Sequence, residues 1–310
     1  MNKILTRFFF SSMYYKFLHQ GWSVIAKAPK YLNVALPDFS VQYILASFLK
    51  TDSVTIRGKV PTAAYVSLTI YDTYGLPSSS IHLTDQKEFS IDVGKDLKKP
   101  SSLLYVVIYR IYQAQEKVQF PKIQLNHQEV APLPVSKIYD NSLAITEKIT
   151  TELSKNLDLT IEKGRCFFLP VDANMSGLFI NKDAIYLIGT PTDSNVIKIS
   201  GMLPPRNKNR CFVGFMACNL KTTATDSSVG WDDLKEQYSI FVAYNKKTAM
   251  RYGYDPNRDQ FLQWSKNNPA PVVVYREVQT KHSGLFNLKS NKWEDAKKIM
   301  GIYYPIITHF

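Results

Sequence analysis

One unit of sequence occurs twice in this chain, and that repetition limits the fold more than any single motif does. Val54–Pro61 (VTIRGKVP) aligns with Ile197–Pro204 (IKISGMLP), and the preceding Tyr43–Ala46 (YILA) aligns with Tyr186–Gly189 (YLIG) at the same separation. Downstream, Tyr65–Tyr71 (YVSLTIY) answers to Phe212–Cys218 (FVGFMAC), Phe89–Val93 (FSIDV) to Tyr238–Val242 (YSIFV), and Val106–Tyr112 (VVIYRIY) to Val272–Val278 (VVVYREV). The matched segments are short, β-branched or aromatic, and bounded by Gly, Pro, Asn or Asp, which is the pattern of strands and turns. Neither copy alternates strands with long helices, as a parallel α/β sheet requires. The expected fold is mainly all-β: two tandem antiparallel jelly-roll-like β-sandwich repeats, with an N-terminal amphipathic helix and a linker helix. Gly58 and Gly201 each precede a proline by three residues and predict a bend or bulge at one equivalent point in both copies.

Boundaries follow from the repeat. Residues 1–36 form an N-terminal segment, 37–120 the first repeat, 121–176 a Pro-rich and helical linker, 177–281 the second repeat with an insertion at 243–269, and 282–310 a C-terminal tail. In the linker, Ile145, Ile149, Leu153 and Leu157 recur at helical spacing over 139–157, behind Asp140 or Asn141 as cap. In the insertion, Asp255 followed by Pro256 reads as the N-cap and first position of a helix. The N-terminal stretch Ile4–Ile25 groups Ile4, Phe8, Tyr15, Leu18, Trp22 and Ile25 on one helical face. Arg7, Lys16 and His19 interrupt it too often for a membrane span, so a targeting or membrane-surface helix is expected, with Arg7, Phe8, Lys16 and Trp22 as the contacting residues.

The Tyr-x-x-x segment before an Ile-x-Gly-x-Leu/Val-Pro strand, then Tyr65–Asp72, then the Val-x-Tyr-Arg-x-Tyr strand, resembles the duplicated "domain of unknown function" jelly-roll-like β-sandwich proteins of bacteria and algae. The resemblance covers roughly 38–113 and 178–279 and rests on strand patterns. It implies a fold and no activity.

Charge is unevenly distributed along the chain. The formal net charge is +12, yet Lys3, Arg7, Lys16, Lys27 and Lys30 all precede the first acidic residue, Asp38. No cluster of Lys and Arg among stacking aromatics marks the repeats, so nucleic acid is not an expected partner. The 3 cysteines, Cys166, Cys211 and Cys218, include no CxxC pair and suit neither a disulfide framework nor a zinc site. Phosphate-binding loops, a nucleophile elbow, HExxH and EF-hand patterns are all missing. The histidines lie singly. Ser78, His82 and Asp85 put hydroxyl, imidazole and carboxylate in one segment, but a triad needs separate rigid supports. Asp226, Asp232 and Asp233 lack calcium-loop spacing. No catalytic residue, metal site or cofactor is expected.

Two groups remain as candidate sites. Arg110 and Arg276 occupy one repeat position inside apolar strands, where a charge needs a partner, and Arg110 with Tyr105, Tyr109 and Tyr112 is the candidate ligand site. Arg251, Tyr252, Tyr254, Phe261 and Trp264 make the insertion the candidate partner interface, because Arg and large aromatics dominate binding hot spots. The functional expectation is a non-catalytic structural or accessory subunit of a mitochondrial inner-membrane complex, such as the respiratory chain or ATP synthase of a protist. It would lie peripheral to the membrane and be held by other protein subunits, with membrane contact through its N-terminal helix. The alternatives are a small-ligand-binding β-sandwich protein and a minor structural protein of a large virus.

Overall fold

A computed structural model describes residues 11, 14–15, 17–25, 40–131, 168–170, 181, 183–189, 194–207, 210–219, 224–266, 271–279 and 292–310. The chain divides into two compact units, Met1–Asn156 with Asn174–Lys182, and Leu157–Ala173 with Asp183–Phe310. The fold is mainly β, built of β-sandwiches.

Unit 1 contains β1 (Ser23–Ile25), β2 (Val41–Leu49), β3 (Val54–Lys59), β4 (Tyr65–Tyr71), β5 (Pro77–His82), β6 (Glu88–Val93), β7 (Leu104–Tyr112), β8 (Lys122–Leu125) and β9 (Gln128–Val130). They form a five-stranded sheet in the order β1-β2-β7-β4-β5 and a four-stranded sheet in the order β6-β3-β8-β9. Strict alternation places Phe89, Ile91 and Val93 of β6 inside and Glu88, Ser90 and Asp92 outside, the period-two pattern of a strand with one buried face. From the other sheet, Tyr105, Val107, Tyr109 and Ile111 of β7 enter the same core, which Trp22 joins.

Unit 2 contains β10 (Phe168–Pro170), β11 (Ala184–Gly189), β12 (Val196–Met202), β13 (Arg210–Asn219), β14 (Ala224–Gly230), β15 (Gln237–Ala243), α1 (Lys246–Met250), β16 (Gln260–Gln263), β17 (Pro271–Gln279), α2 (Trp293–Met300) and β18 (Ile306–His309). Its sheets run β10-β11-β17-β13-β14 and β16-β15-β12-β18. The five-stranded sheet uses equivalent strands in the same order as unit 1. The registers agree as well: Tyr43 stands opposite Arg110, and Tyr186 opposite Arg276.

Several expectations change. The N-terminal segment is helical at Ser11, Tyr14 and Tyr15, but it does not continue as a helix to Ile25. The chain reverses at His19 (φ 59) and Gly21 (φ 76), backbone conformations that a right-handed helix cannot contain. Ser23–Ile25 then pairs with Tyr43–Leu45. Trp22, expected at a membrane surface, is buried at 2% exposure and donates its indole N–H to the Pro121 carbonyl at 2.5 Å. Arg7, Phe8, Lys16 and the expected linker helix at 139–157 lie outside the described residues.

The first sandwich does not stop at residue 120. Lys122–Leu125 and Gln128–Val130 form a hairpin added beside β3, turned at Asn126 (φ 47) and His127 (φ 71), two consecutive left-handed residues as a type I′ turn demands. Nor is 292–310 a free tail. Ala296 and Met300 of α2 enter the unit 2 core, and β18 pairs with β12.

Gly58 and Gly201 mark no bulge, because the ladders through both run without a register shift. Gly58 faces Phe89 and Gly201 faces Tyr238 across the strand pair, and the aromatic ring lies where a side chain would stand. A Cβ on Gly201 would sit 2.5 Å from the Tyr238 hydroxyl, and one on Gly58 would sit 3.1 Å from Pro121 Cβ. Close approach, and not a bend, is the reason for glycine here.

Candidate interaction surface

The insertion in unit 2 splits its aromatic residues between two faces. β16 runs parallel to β15 and extends the sheet edge, so its successive side chains point to opposite sides. Leu262 and Trp264 turn inward, and Trp264 is 6% exposed within the sandwich core. Phe261 turns outward against Tyr254 and Phe241. The expected helix at Asp255 is a single turn: the Asp255 carboxylate accepts from the Asn257 N–H at 2.9 Å, and the Asp259 N–H returns to the Asp255 carbonyl at 2.8 Å. Ser227 and Asp226 fasten the insertion by accepting the Gln263 and Ser265 N–H groups, both at 2.8 Å.

On the outer face the rings form a chain. Phe261 lies 5.5 Å from Tyr254, Tyr254 lies 5.7 Å from Phe241, Phe241 stacks on Phe310 at 6.0 Å, and Phe310 lies 5.6 Å from Tyr252. Burial is graded along it. Phe241 and Tyr254 are buried, Phe261 is half-buried, and Tyr252 and Phe310 are exposed at 41% and 43%. Burial pushes the Tyr254 phenol pKa up, reinforced by Asp259 and Asp255. Cations edge the cluster: Lys198 Nζ is 5.4 Å from the Phe241 ring, Lys246 Nζ is 5.9 Å from Phe261, and Arg251 precedes Tyr252 in the exposed turn after α1. None of these three cations has a carboxylate partner among the described residues.

Of the expected interface residues, the structure therefore brings Arg251, Tyr252, Tyr254 and Phe261 together and removes Trp264 to the core. Tyr254 supports the surface without being exposed, contrary to its expected accessibility. Phe310, at the far end of the sequence, belongs to the cluster through β18, a placement no local pattern signals.

The expected Arg110 site does not assemble. Tyr105 and Tyr109 point into the core, on the side of β7 opposite Arg110, and only Tyr112 shares the arginine's face. Burial pushes the Tyr105 and Tyr109 phenols well above their ordinary range. Arg110 instead donates to the Tyr71 hydroxyl at 2.6 Å, with its guanidinium 5.1 Å from the Tyr71 ring and 5.9 Å from Tyr43. Arg276 lies 5.0 Å from Tyr186 in the same manner. Cation–π contact with a cross-strand tyrosine is common to both strands and offsets part of the cost of the charge.

A buried charge cluster escapes sequence reasoning. Arg210 (2% exposed) pairs with Glu277 (0%), Tyr275 donates to the second Glu277 oxygen at 2.8 Å, Gln279 donates to the first at 2.8 Å, and Arg210 also donates to the Pro205 carbonyl at 2.9 Å. Every strong acceptor is used, so the cluster reads as a structural pin. The Ser78, His82 and Asp85 grouping fails as a triad on geometry. Ser78 and His82 stand four residues apart on β5, roughly 13 Å along a strand, and Ser78 donates to the Lys98 carbonyl. Asp232 pairs with Arg206, while Asp233 accepts the Gly230 N–H. Among the described residues no group of three or more His, Cys, Asp and Glu could hold a metal, and no helix is long and apolar enough to cross a membrane.

No family model and no curated protein matches the chain. Among solved structures it is similar to an uncharacterized protein from Burkholderia cenocepacia, with a TM-score of 0.63 at 11% identity over 98% of this chain and 86% of that one. It is also similar to the VPA0106 protein from Vibrio parahaemolyticus, with a TM-score of 0.47 at 11% identity over 91% and 92%. At such identity the first likeness shows the fold alone. It agrees with a fold-only resemblance and names no family.

Proposed function

We propose that the chain is a tandem duplication of one β-sandwich and works by contact, as a non-catalytic accessory subunit of a larger assembly whose protein partner docks on the aromatic face of unit 2. One observation carries the proposal: Tyr252 and Phe310 expose adjacent rings on top of a packed aromatic layer. Large exposed rings grouped on a rigid sheet are characteristic of interaction sites. The unpaired Lys198, Lys246 and Arg251 at its edge suit a partner surface that presents carboxylates around an apolar centre. The duplication is supported by the equivalent arginine–tyrosine registers in the two units.

The assembly we propose is a mitochondrial inner-membrane complex. Its support is the acid-free, Lys- and Arg-bearing sequence before Asp38. Purification of the full chain from its native source under mild detergent, followed by identification of co-purifying proteins, tests this. Respiratory-chain or ATP-synthase subunits are expected. Capsid proteins would move the assembly to a virion, and recovery of the chain alone would remove the accessory-subunit proposal.

A further inference from the structure

We propose that one end of the unit 1 sandwich is a binding site for a small phosphorylated polyol. An open cleft of about 530 Å³ lies there, lined by Lys59, Thr84, Lys87, Glu116 and Lys117 above Ala63, within the size range of small-ligand sites. The three lysines come from three separate segments: the end of β3, the β5–β6 loop and the β7–β8 loop. Hydrogen bonds fix those segments to one another. The Val60 N–H donates to the Lys87 carbonyl at 2.9 Å, the Gln115 N–H to the Thr62 carbonyl at 2.9 Å, and the Thr62 N–H to the Glu116 carboxylate at 2.7 Å.

The polar inventory of the cleft is unbalanced. Its single carboxylate is engaged by Thr62, while none of the three ammonium groups has an ion-pair or hydrogen-bond partner among the described residues. The Thr84 hydroxyl accepts from the Val66 N–H at 2.8 Å, which leaves its proton to donate. Three cations lining one cleft focus potential for a polyanion, and hydroxyl and amide groups beside them suit the oxygens of a polyol.

Unit 2 shows that the fold does not need two of these charges. Its Leu203 N–H to Glu236 carbonyl bond, at 2.7 Å, occupies the place of Val60 and Lys87, so Glu236 stands where unit 1 has Lys87. Met202 stands where unit 1 has Lys59, each facing the first residue of the neighbouring strand. The opening has a cause too. Just before β4, unit 1 has Ala63 and Ala64, whereas unit 2 has Arg210 and Cys211, with the Arg210 guanidinium spanning Pro205 and Glu277. Ala63 presents only a methyl group to the cleft at the position where unit 2 carries the buried Arg210 side chain.

Calorimetry on the full chain tests the site with inositol hexakisphosphate as the soluble probe, and with phosphatidylcholine vesicles with and without phosphatidylinositol bisphosphate as the lipid probe. Binding is expected to weaken steeply with added salt. It should fall about tenfold or more in Lys87→Gln and in the Lys59→Gln/Lys117→Gln pair, roughly the effect of losing one charge-assisted contact. All three are exposed side chains, and the thermal midpoint is expected to stay unchanged. Heat with the soluble probe alone assigns a soluble ligand, and heat with both probes assigns a headgroup. Absence of heat with either probe, or binding that survives the lysine substitutions, overturns the proposal.

Discussion

Single positions in this chain are governed by what stands opposite them on the next strand. Gly201 is the clearest case, because an added Cβ would meet the Tyr238 hydroxyl at 2.5 Å. Gly201→Ala is expected to destabilise by about 1–3 kcal/mol through overpacking and to cost less in a Tyr238→Phe background, as urea denaturation of the four variants would show. At the buried pair, Glu277→Ala leaves the buried Arg210 charge without its carboxylate, so a loss of about 3–5 kcal/mol is expected. An apolar replacement of both partners should recover most of it. Equal losses for the single and double variants would contradict that account. Tyr14, Tyr105, Tyr109, Tyr238, Tyr275 and Tyr304 all have pKa values raised by burial above the ordinary 10.0. For groups raised in the folded state, the stabilisation is complete below the unfolded pKa and is lost as pH rises beyond it. Full phenolate absorbance should therefore be reached only together with the loss of circular dichroism, in one alkaline transition above pH 10, and ionisation of every tyrosine in an intact fold would count against this. Arg110 and Arg276 could be read from the repeat as accommodated charges, because both sit at one position of an apolar strand. The direction each tyrosine faces depends on strand phase, which is why Tyr105 and Tyr109 were misjudged as companions of Arg110.

At the scale of elements, strand identity was legible where β-branched and aromatic residues alternated, and less so where a single strand edge decided the outcome. β1 was hidden inside an apolar stretch that satisfies helical spacing until His19 and Gly21 reverse the chain. The β8–β9 hairpin was hidden by nearby prolines, although Asn126 and His127 between short apolar runs carry a turn signal. β18 and α2 have no counterpart in the repeat alignment; pairing with β12 assigns β18, and the packing of Ala296 and Met300 in the unit 2 core assigns α2. The insertion was recognised as an excursion with aromatic character, but its residues could not be divided until β16 was known to be a strand and not a helix. That division has a measurable consequence. Trp264→Ala should cost about 3–5 kcal/mol of stability, as for other buried large aromatics, while Tyr252→Ala should leave unit 2 stability within about 0.5 kcal/mol, as for an exposed position. Differential scanning calorimetry on the two variants separates these outcomes, and a silent Trp264→Ala would overturn the core assignment.

For the molecule as a whole, two sandwiches whose five-stranded sheets share one strand order carry different additions, and those differences are where function is proposed to lie. Unit 2 has extra strand and helix that raise an aromatic face, with Phe310 completing it from the last residue of the sequence. Unit 1 has a lysine-lined cleft at the end where unit 2 places the buried Arg210–Glu277 pair. The net charge of +12 locates no partner, since cations without a carboxylate partner among the described residues lie in both units. The central claim, that the protein acts by contact through the aromatic face, is tested most directly by Tyr252→Ala/Phe310→Ala in the full chain, tagged and recovered from its native source under mild detergent beside the wild type. The account predicts an unchanged thermal midpoint and partner recovery reduced at least about tenfold, as expected for removal of hot-spot rings. Equal recovery of the same partners by both proteins would contradict it.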